Sequence, residues 1–504
     1  MSELFSVGFS NILMPTNILL MGLGVLIGIM FGSIPGLTAT MGIALCLPLT
    51  YSMDMVPSMA LLCGIFIGGI SGGLIPAILI NVPGTPSSIA TCFDGHPMAV
   101  NGHAQRAMGI GVFYSFIGGT LSFLALFFIS PPLAKIAIHF GPYEYFGVAV
   151  FSLTLIASIS KQSMAKGLIA GLIGMAFAMV GPAPIDSFSR YTFGVKGLKG
   201  GFDILVVMIG LFAISEVIKA GNDSPELQKA TLKRENIKGF GFSIKEFKEQ
   251  FVNFIRSSFI GIAMGILPGV GGSTSSVLAY FAAKNSSKHP EKFGTGIMDG
   301  VVASESANNA TIGGAMIPLL TLGIPGESTT AMLLGAFMIH GLTPGPLLFA
   351  KNGTIVYSIF AALIVSNVIM LIMEFYGLRL FTKVLYIPKY ILLPIIFVLC
   401  AVGAFGLNNR TFDIWTVIFF GIISIAFDVF DYPLAPVILG FILGPIAEKN
   451  LRSGLMLTGG SFWPFLQHPI CLFFIVATVL SIVITLIQQV RKNKKQEHSR
   501  ITLG

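Results

Sequence analysis

Residues 305–330 read ESANNATIGGAMIPLLTLGIPGESTT, a stretch that is mostly apolar yet holds Glu305, Asn308 and Asn309. A carboxylate and two neighbouring amides can ligate a cation or hydrogen-bond an anion. Glu305 lies three residues before Asn308, so one helical turn presents both on one face. In apolar surroundings Glu305 can bind Na⁺, carry a proton or pair with a buried cation. The two asparagines can line a site or bridge neighbouring helices. Glu327 directly follows a Pro-Gly pair, where an acidic side chain suits a helix start better than contact with an anion.

The same chemistry recurs at four places: PGLTAT (35–40), PGTPSS (83–88), PGVGGSTSS (268–276) and PGESTT (325–330). Proline removes a backbone donor and glycine admits positive φ, so a Pro-Gly pair in an apolar run ends one half-helix. The hydroxyl-rich residues after it can begin another. Amides freed at a half-helix start attract anions. Thr38, Thr85, Ser87, Ser88, Ser273, Thr274, Ser328 and Thr329 add hydroxyls there, and with Asn308 and Asn309 they are the candidate substrate ligands. Carbonyls freed at the preceding half-helix end, at Gly36, Gly84, Gly269 and Gly326, join Glu305 as candidate ligands of a coupling ion. Small residues also serve close helix packing, so one motif alone has two readings. Four of them, placed by an internal repeat, point to a transporter's midplane site.

These motifs need elements that hold them in a bilayer. The 504 residues are 54% hydrophobic and 10% charged, against about 25% charge in a soluble domain. Apolar runs of about 20 residues, enough to cross about 30 Å of hydrocarbon, recur near 107–129, 143–160, 164–181, 203–220, 354–377, 388–406, 413–430 and 468–490. The expected fold is an all-α polytopic integral membrane protein with broken helices or re-entrant hairpins and about 10–12 spans. A β-barrel would alternate in short segments. No signal peptide is read at residues 1–10, which lack a basic start.

GIMFGSIPG matches GIAMGILPG at a shift of 233, and Ile75, Pro76, Pro83 and Gly84 match Ile317, Pro318, Pro325 and Gly326 at a shift of 242. Ordered matches at similar shifts argue for a repeat. The expected organisation is a first inverted repeat over 1–220 (broken segments 17–100, scaffold spans 107–220) and a cytoplasmic linker over 221–250. A second repeat then covers 251–465 (broken segments 251–350, scaffold spans 354–465), followed by an extra span at 466–490 and a basic tail at 491–504. Lys/Arg-rich segments stay inside, which puts the linker and tail in the cytoplasm and residue 1 outside. Paired broken segments beside uninterrupted spans suggest elevator-like movement.

The net charge of +8 does not point to nucleic acid as a partner; its clearest basic cluster is the tail at 491–500, which suits a cytoplasmic end. The cysteines Cys46, Cys63, Cys92, Cys400 and Cys471 form no C-x-x-C pair, so neither a disulfide framework nor a metal site is expected beyond Na⁺. Asp94, His96, His103 and Arg106 fall in a polar loop and read as solvated or structural; Cys92 lies in the same loop. His340 reads as a hydrogen-bonded helix-end histidine. An enzyme is not expected: Ser273 and Ser275 sit in a Gly-rich turn with no histidine in the broken segments to act as base.

The segments AILINVPGTPSSIATCFDGHPMAVNGHAQRAMGIG (77–111), FGTGIMDGVVASESANNATIGGAMIPLLTLGIPG (293–326) and HGLTPGP (340–346) resemble the large membrane subunit of tripartite tricarboxylate transporters, the TctA family. The resemblance covers nearly the whole chain. It implies a multi-pass permease of the bacterial inner membrane with inverted repeats. Implied partners are a small four-span membrane subunit (TctB-like) and a periplasmic solute-binding protein (TctC-like), with the lipid bilayer around them. Di- or tricarboxylates such as citrate are the implied substrates, with Na⁺ or H⁺ as coupling ion and no other cofactor. Two positions depart from the family pattern: Leu37-Thr38 stands where it favours Leu-Gly, and Glu327 where it usually has Ser. The alternative reading is a self-sufficient organic-anion carrier or an ion channel, although no repeated ring of charge is visible.

Overall fold

The computed structural model of the chain describes residues 2–159, 164–215, 217–218, 239–384 and 389–501. Residues 221–238, the greater part of the expected linker, lie outside them. The described chain is helical apart from turns and one antiparallel pair of two-residue strands, Gly181–Pro182 with Ser189–Arg190. Up to the linker the helices are α1 (Ser2–Ile12), α2 (Pro15–Ser33), α3 (Ala39–Thr50), α4 (Met55–Gly72), α5 (Leu74–Ile80), α6 (Thr91–Met98), α7 (Ala104–Ala137), α8 (Pro142–Ile159), α9 (Met164–Ala178) and α10 (Ile204–Met208). After it come α11 (Ile244–Glu249), α12 (Phe251–Ile266), α13 (Gly271–Ser286), α14 (Met298–Leu322), α15 (Ser328–Ile339), α16 (Pro346–Lys351) and α17 (Gly353–Val384). The chain closes with α18 (Lys389–Asn408), α19 (Thr411–Val429), α20 (Leu434–Leu457), α21 (Trp463–Gln467) and α22 (Pro469–Ile501).

Among the described residues, six helical stretches are long and apolar enough to cross a membrane unaided. Three of the shorter apolar helices, Ala39–Thr50, Phe251–Ile266 and Ser328–Ile339, belong to the broken regions. The chain is therefore an all-α polytopic membrane protein. Helix α20 was not among the spans singled out in the sequence, because Glu448, Lys449 and Arg452 interrupt its second half.

Each Pro-Gly turn does end a helix. Helix α2 stops at Ser33, Pro35 follows, and Gly36 takes φ +88° before α3 begins. Its counterpart α12 stops at Ile266, and Gly269 takes φ +79° before α13 begins. Matched residues also make matched contacts. A Cβ on Gly32 would lie 2.4 Å from the Gly69 carbonyl oxygen, and one on Gly265 would lie 2.6 Å from that of Thr311. Gly32 and Gly265 are related by the 233 shift, Gly69 and Thr311 by the 242 shift. Likewise α5 ends on left-handed Asn81 (φ 55°) and α14 on left-handed Gly323 (φ 72°), 242 residues on. Small residues thus let α2 lie backbone-to-backbone on α4, and α12 on α14.

The described chain falls into two compact units: Met1–Ile138 with Leu205–Gly421, and His139–Ile204 with Ile422–Gly504. Each draws on both halves of the sequence. All four turns lie in the first unit. In the second, Gly174 of α9 meets the Val437 carbonyl of α20. There Arg190 grips Glu448 through two bonds of 2.7 and 3.0 Å, and Arg452 reaches Asp186 at 2.8 Å. The His468 ring contacts the buried Glu144 at 3.0 Å.

The end of the expected linker is not free chain. Residues 239–250 lie along the first unit because three phenylalanines punctuate their polar sequence. Phe240 contacts Phe113 and Phe375, with ring centroids 5.1 and 4.5 Å apart. Gly109 has no side chain to obstruct the Phe240 carbonyl, which would sit 2.5 Å from a Cβ there. Arg106 pairs with Glu246, and Glu246 closes a capping box with Ser243 at the start of α11.

Two outcomes follow from this packing. Gly265→Leu forces a side chain into the Thr311 carbonyl, an overpacking of about 1–3 kcal/mol or more, read as a lower unfolding midpoint in detergent. Gly22→Leu, whose Cβ would meet only the Met373 methyl at 3.6 Å, is the tolerated control. The second concerns the strap at 239–250. The Ser243 backbone N–H foremost, then the Ser243 hydroxyl and Arg106, hold the Glu246 carboxyl below its usual range against partial burial. A depressed folded value stabilises fully above the unfolded pKa of about 4.3 and is lost as pH falls below it through the folded value. A fluorophore on an Ile244→Cys variant should therefore gain mobility only in that acid window, and Glu246→Gln should abolish the step.

Candidate functional site

Helix α14 carries Glu305, Asn308 and Asn309 on consecutive turns, all buried. The Glu305 carboxylate is held from two other helices. The Thr91 hydroxyl at the start of α6 donates to its Oε1, and Ser115 of α7 donates to Oε2 at 2.9 Å. The Asn309 amide donates to the Glu305 carbonyl at 3.2 Å and to Oε2 at 3.4 Å. Glu305 is thus a charge-capable group ringed by hydroxyl and amide donors. No Lys, Arg or His hydrogen-bonds to it among the described residues.

Asn308 differs. It lies beside Glu305, yet neither its Oδ1 nor its Nδ2 reaches hydrogen-bonding geometry with any group; the Asn309 Oδ1 is equally unpartnered. Buried polar atoms in native proteins are nearly always bonded, so each exception calls for an explanation. The unpartnered amide faces the turns. A Cβ on Gly272 would lie 2.9 Å from Asn308 Oδ1 and 2.8 Å from the Ser87 Cβ. Gly272 therefore keeps the gap open between the second turn, the third turn and α14.

The four turns converge, and they do so by crossing between the halves of the sequence. The first turn meets the fourth, where the hydroxyls of Thr40 and Thr329 are 2.9 Å apart. The second meets the third through Ser87 and Gly272. The third meets the fourth, where the Gly269 N–H donates to the Gly326 carbonyl at 2.7 Å. A Cβ on Gly271 would also lie 3.2 Å from Glu327 Oε2. Thr38, Ser273, Thr274, Ser328, Glu327, Gly36 and Gly269 keep part of their surface accessible, while Thr85, Ser87, Ser88 and Thr329 are buried. The turns themselves contain no Lys or Arg.

Some candidates are occupied with holding the turns. Thr38 caps α3, accepting from the Met41 N–H at 3.3 Å. Ser88 accepts from the Thr85 N–H at 3.3 Å and donates to the Thr85 carbonyl at 2.9 Å. Thr330 does the same with Glu327, both bonds 2.9 Å, at the position 242 residues later. Glu327 is the N-cap of α15, as an acidic residue after Pro-Gly suggests. The Gly326 carbonyl has one lone pair committed to Gly269. Gly84 lies where any Cβ would be 2.1 Å from the Gly32 carbonyl, which makes it a packing point at the turn.

Other groups went unread in the sequence. Thr91 and Ser115 carry no signal there, since hydroxyls are common in membrane helices. Ser275, noted in the sequence only as a serine without a base, bonds Thr311 at 2.7 Å and pins α13 to α14. The supposed polar loop around Asp94 is in fact helix α6, and Asp94 and Cys92 are buried. Asp94 Oδ1 accepts from the N–H groups of Gly294, Gly296 and Ile297, and Oδ2 from Tyr280. Three backbone donors on one oxygen explain a buried acid that orders the chain entering α14. His340 bonds Ser58 at 2.8 Å at the end of α15, and the five cysteines are free and buried.

The unpartnered amide sets up an opposition between stability and activity. Asn308→Leu removes two unsatisfied polar atoms of similar bulk, so the ligand-free protein should gain up to about 1–3 kcal/mol and a higher unfolding midpoint. Transport should be lost in the same variant. A lower midpoint would show that the amide is satisfied after all.

Comparisons with known proteins agree with this architecture. The tripartite tricarboxylate transporter TctA family matches residues 18–439. An uncharacterized 52.8 kDa protein in the TAR-I ttuC' 3'region of Agrobacterium vitis is 35% identical over 489 residues, covering 97% of both chains. An uncharacterized protein in the TAR-II ttuC' 3'region of the same organism is 34% identical over 236 residues, 47% of this chain and 98% of that one. No solved structure matches. Family and fold together make the chain a multi-pass membrane transport protein, in a family whose members work with membrane and binding-protein partners. The chain belongs to the TctA family, the large subunits of tripartite tricarboxylate transporters.

Proposed function

We propose that the chain is the translocating subunit of a binding-protein-dependent system that imports di- or tricarboxylates, citrate-like in chemistry, across the bacterial inner membrane with Na⁺ or H⁺. The periplasmic binding protein delivers the anion, and a small four-span subunit accompanies the permease. The observation that carries this reading is the meeting of four hydroxyl-rich turns, with the unpartnered Asn308 amide beside Gly272 of the third and no Lys or Arg among them.

Charge arithmetic then gives a reason for coupling. Each helix start offers about half an elementary charge, so the starts of α13 and α15 balance about one unit. A dicarboxylate is left short by about one unit. A co-bound cation closes that gap, with Glu305 and the turn carbonyls as its ligands. The anion's own ligands are then Asn308, Asn309, Ser87, Ser273, Thr274, Ser328 and Thr329. Without the cation the site holds the anion poorly, and that dependence is what couples the two.

The matched contacts of the two halves support an inverted repeat, with residues 221–250 and 491–504 cytoplasmic and residue 1 periplasmic. Both pairs of broken segments belong to one compact unit, together with α7 and α17, and the motion proposed for the paired segments is elevator-like, through the bilayer.

Uptake of labelled citrate and shorter dicarboxylates, measured with and without the binding protein across Na⁺ concentrations and pH, tests this. Asn309→Ala and Ser273→Ala, inserted normally, should each lose uptake about tenfold or more, equivalent to about 1.4 kcal/mol at the site. Wild-type uptake that ignores both gradients, or unimpaired uptake in both variants, rejects the site. Uptake that needs no binding protein would favour the self-sufficient carrier.

A further inference from the structure

Glu374 lies on α17, outside the turns, and is fully buried. Its Oε2 accepts from the Ser71 hydroxyl of α4 at 2.7 Å, and its Oε1 has no partner. A carboxylate at membrane depth with one hydroxyl donor is costly by several kcal/mol, and such residues mark ion or proton pathways. A carboxylic acid at the same place carries no charge.

The position of Glu374 links it to the site. Helices α7 and α17 run antiparallel: Phe127 meets Phe360, while Asn367 bonds the Phe116 carbonyl at 3.0 Å and Thr120 at 3.1 Å. Two turns beyond Asn367, Glu374 stands level with the Gly109–Gly111 stretch of α7. A Cβ on Gly111 would lie 3.8 Å from the Glu305 Cγ and 3.6 Å from Leu74, one turn past Ser71. Glu305 and Leu74, one turn from the Ser71 that holds Glu374, therefore meet at one glycine of α7.

The two are not equivalent. Glu305 has three side-chain donors on its carboxylate, from Thr91, Ser115 and Asn309; Glu374 has one. Nothing else on the neighbouring helices offers Glu374 a counter-charge among the described residues. Helix α2 has no ionisable residue and α4 only the Cys63 thiol. On α7, Arg106 is committed to Glu246, Tyr114 packs against Phe242 and Phe254, and Lys135 is at the far end. Lys351 of α16 precedes Glu374 by 23 residues, about 34 Å along helix. The side chains of Glu3, Arg379 and Lys383 lie outside the described residues.

We infer that Glu374 is a proton-binding site, taking up one proton on Oε1 and releasing it on the other side of the membrane in each transport cycle. The step forms one O–H bond on the carboxylate and later breaks it, with no other bond changed. Ser71 positions the group by donating to Oε2 in both forms. Phe240 of the strap packs at a tilt against the adjacent Phe375, ring centroids 4.5 Å apart. The inference deepens the proposed function, resting on it for the transport cycle but not for the protonation itself.

The test uses the full permease with its partner proteins in membrane vesicles, comparing wild type with Glu374→Gln. With the substrate on both sides, exchange needs no release of the proton; net accumulation does. Glu374→Gln should keep citrate exchange near the wild-type rate while accumulation driven by a pH gradient falls at least about tenfold. Infrared spectra should show a buried carboxylic acid carbonyl band in wild type that Glu374→Gln removes. Ser71→Ala should shift that band and the pH profile while leaving exchange intact. The inference is overturned if the band is absent, if the variant accumulates with a wild-type pH profile, or if it inserts normally yet loses exchange. Wild-type accumulation driven by Na⁺ alone overturns it as well. Absence of any citrate or dicarboxylate exchange in wild type would instead reject the substrate reading, and the infrared arm still decides the fate of Glu374.

Discussion

A helix end inside hydrocarbon leaves backbone donors and acceptors that no lipid can satisfy. The rest of this structure follows from placing four interrupted helices in one compact unit. Three of the four interruptions are closed locally by a polar hook: Thr38 on Met41, Ser88 on Thr85, Thr330 on Glu327. Between turns, the Gly269 N–H finds the Gly326 carbonyl. Close passage of α2 over α4 and of α12 over α14 then shields the ends from lipid. Among the buried polar atoms still without a partner, Asn308 Oδ1 and Nδ2 and Asn309 Oδ1 lie on one turn of α14 beside the turns.

The pattern could be read from sequence as far as it rests on punctuation. Pro-Gly pairs followed by hydroxyls located all four breaks, because proline and glycine act on their own backbone. The repeat was legible for the same reason: Gly32 and Gly265 must be small to admit a facing carbonyl. Glu327 was legible as a helix-start residue because that role is set by the residues beside it, although it stands at the N-cap rather than in the first turn.

Side chains that act across the fold left no such trace. Thr91 and Ser115 are ordinary hydroxyls until they meet Glu305, 214 and 190 residues away. Asp94 read as solvated or structural, and the structural role could not be singled out because its partners are backbone amides some 200 residues on, which have no sequence signature. Glu374 sits in an uninterrupted span that reads as scaffold. The strap at 239–250 was masked by charge: its phenylalanines are spaced among lysines and glutamates, so the average composition resembles linker.

The crossing of the turns has a consequence for how the protein is made. Thr40 finds its partner 289 residues later. At a synthesis rate of about 5–20 residues per second, that is about 15–60 s of translation. For this interval the first half must sit in or beside the membrane with half-helix ends and buried hydroxyls still awaiting their partners. Its nascent form is therefore a substrate for whatever shields polar segments during insertion. A slowed ribosome anywhere between the two halves would lengthen that exposure without altering a single residue of the finished protein.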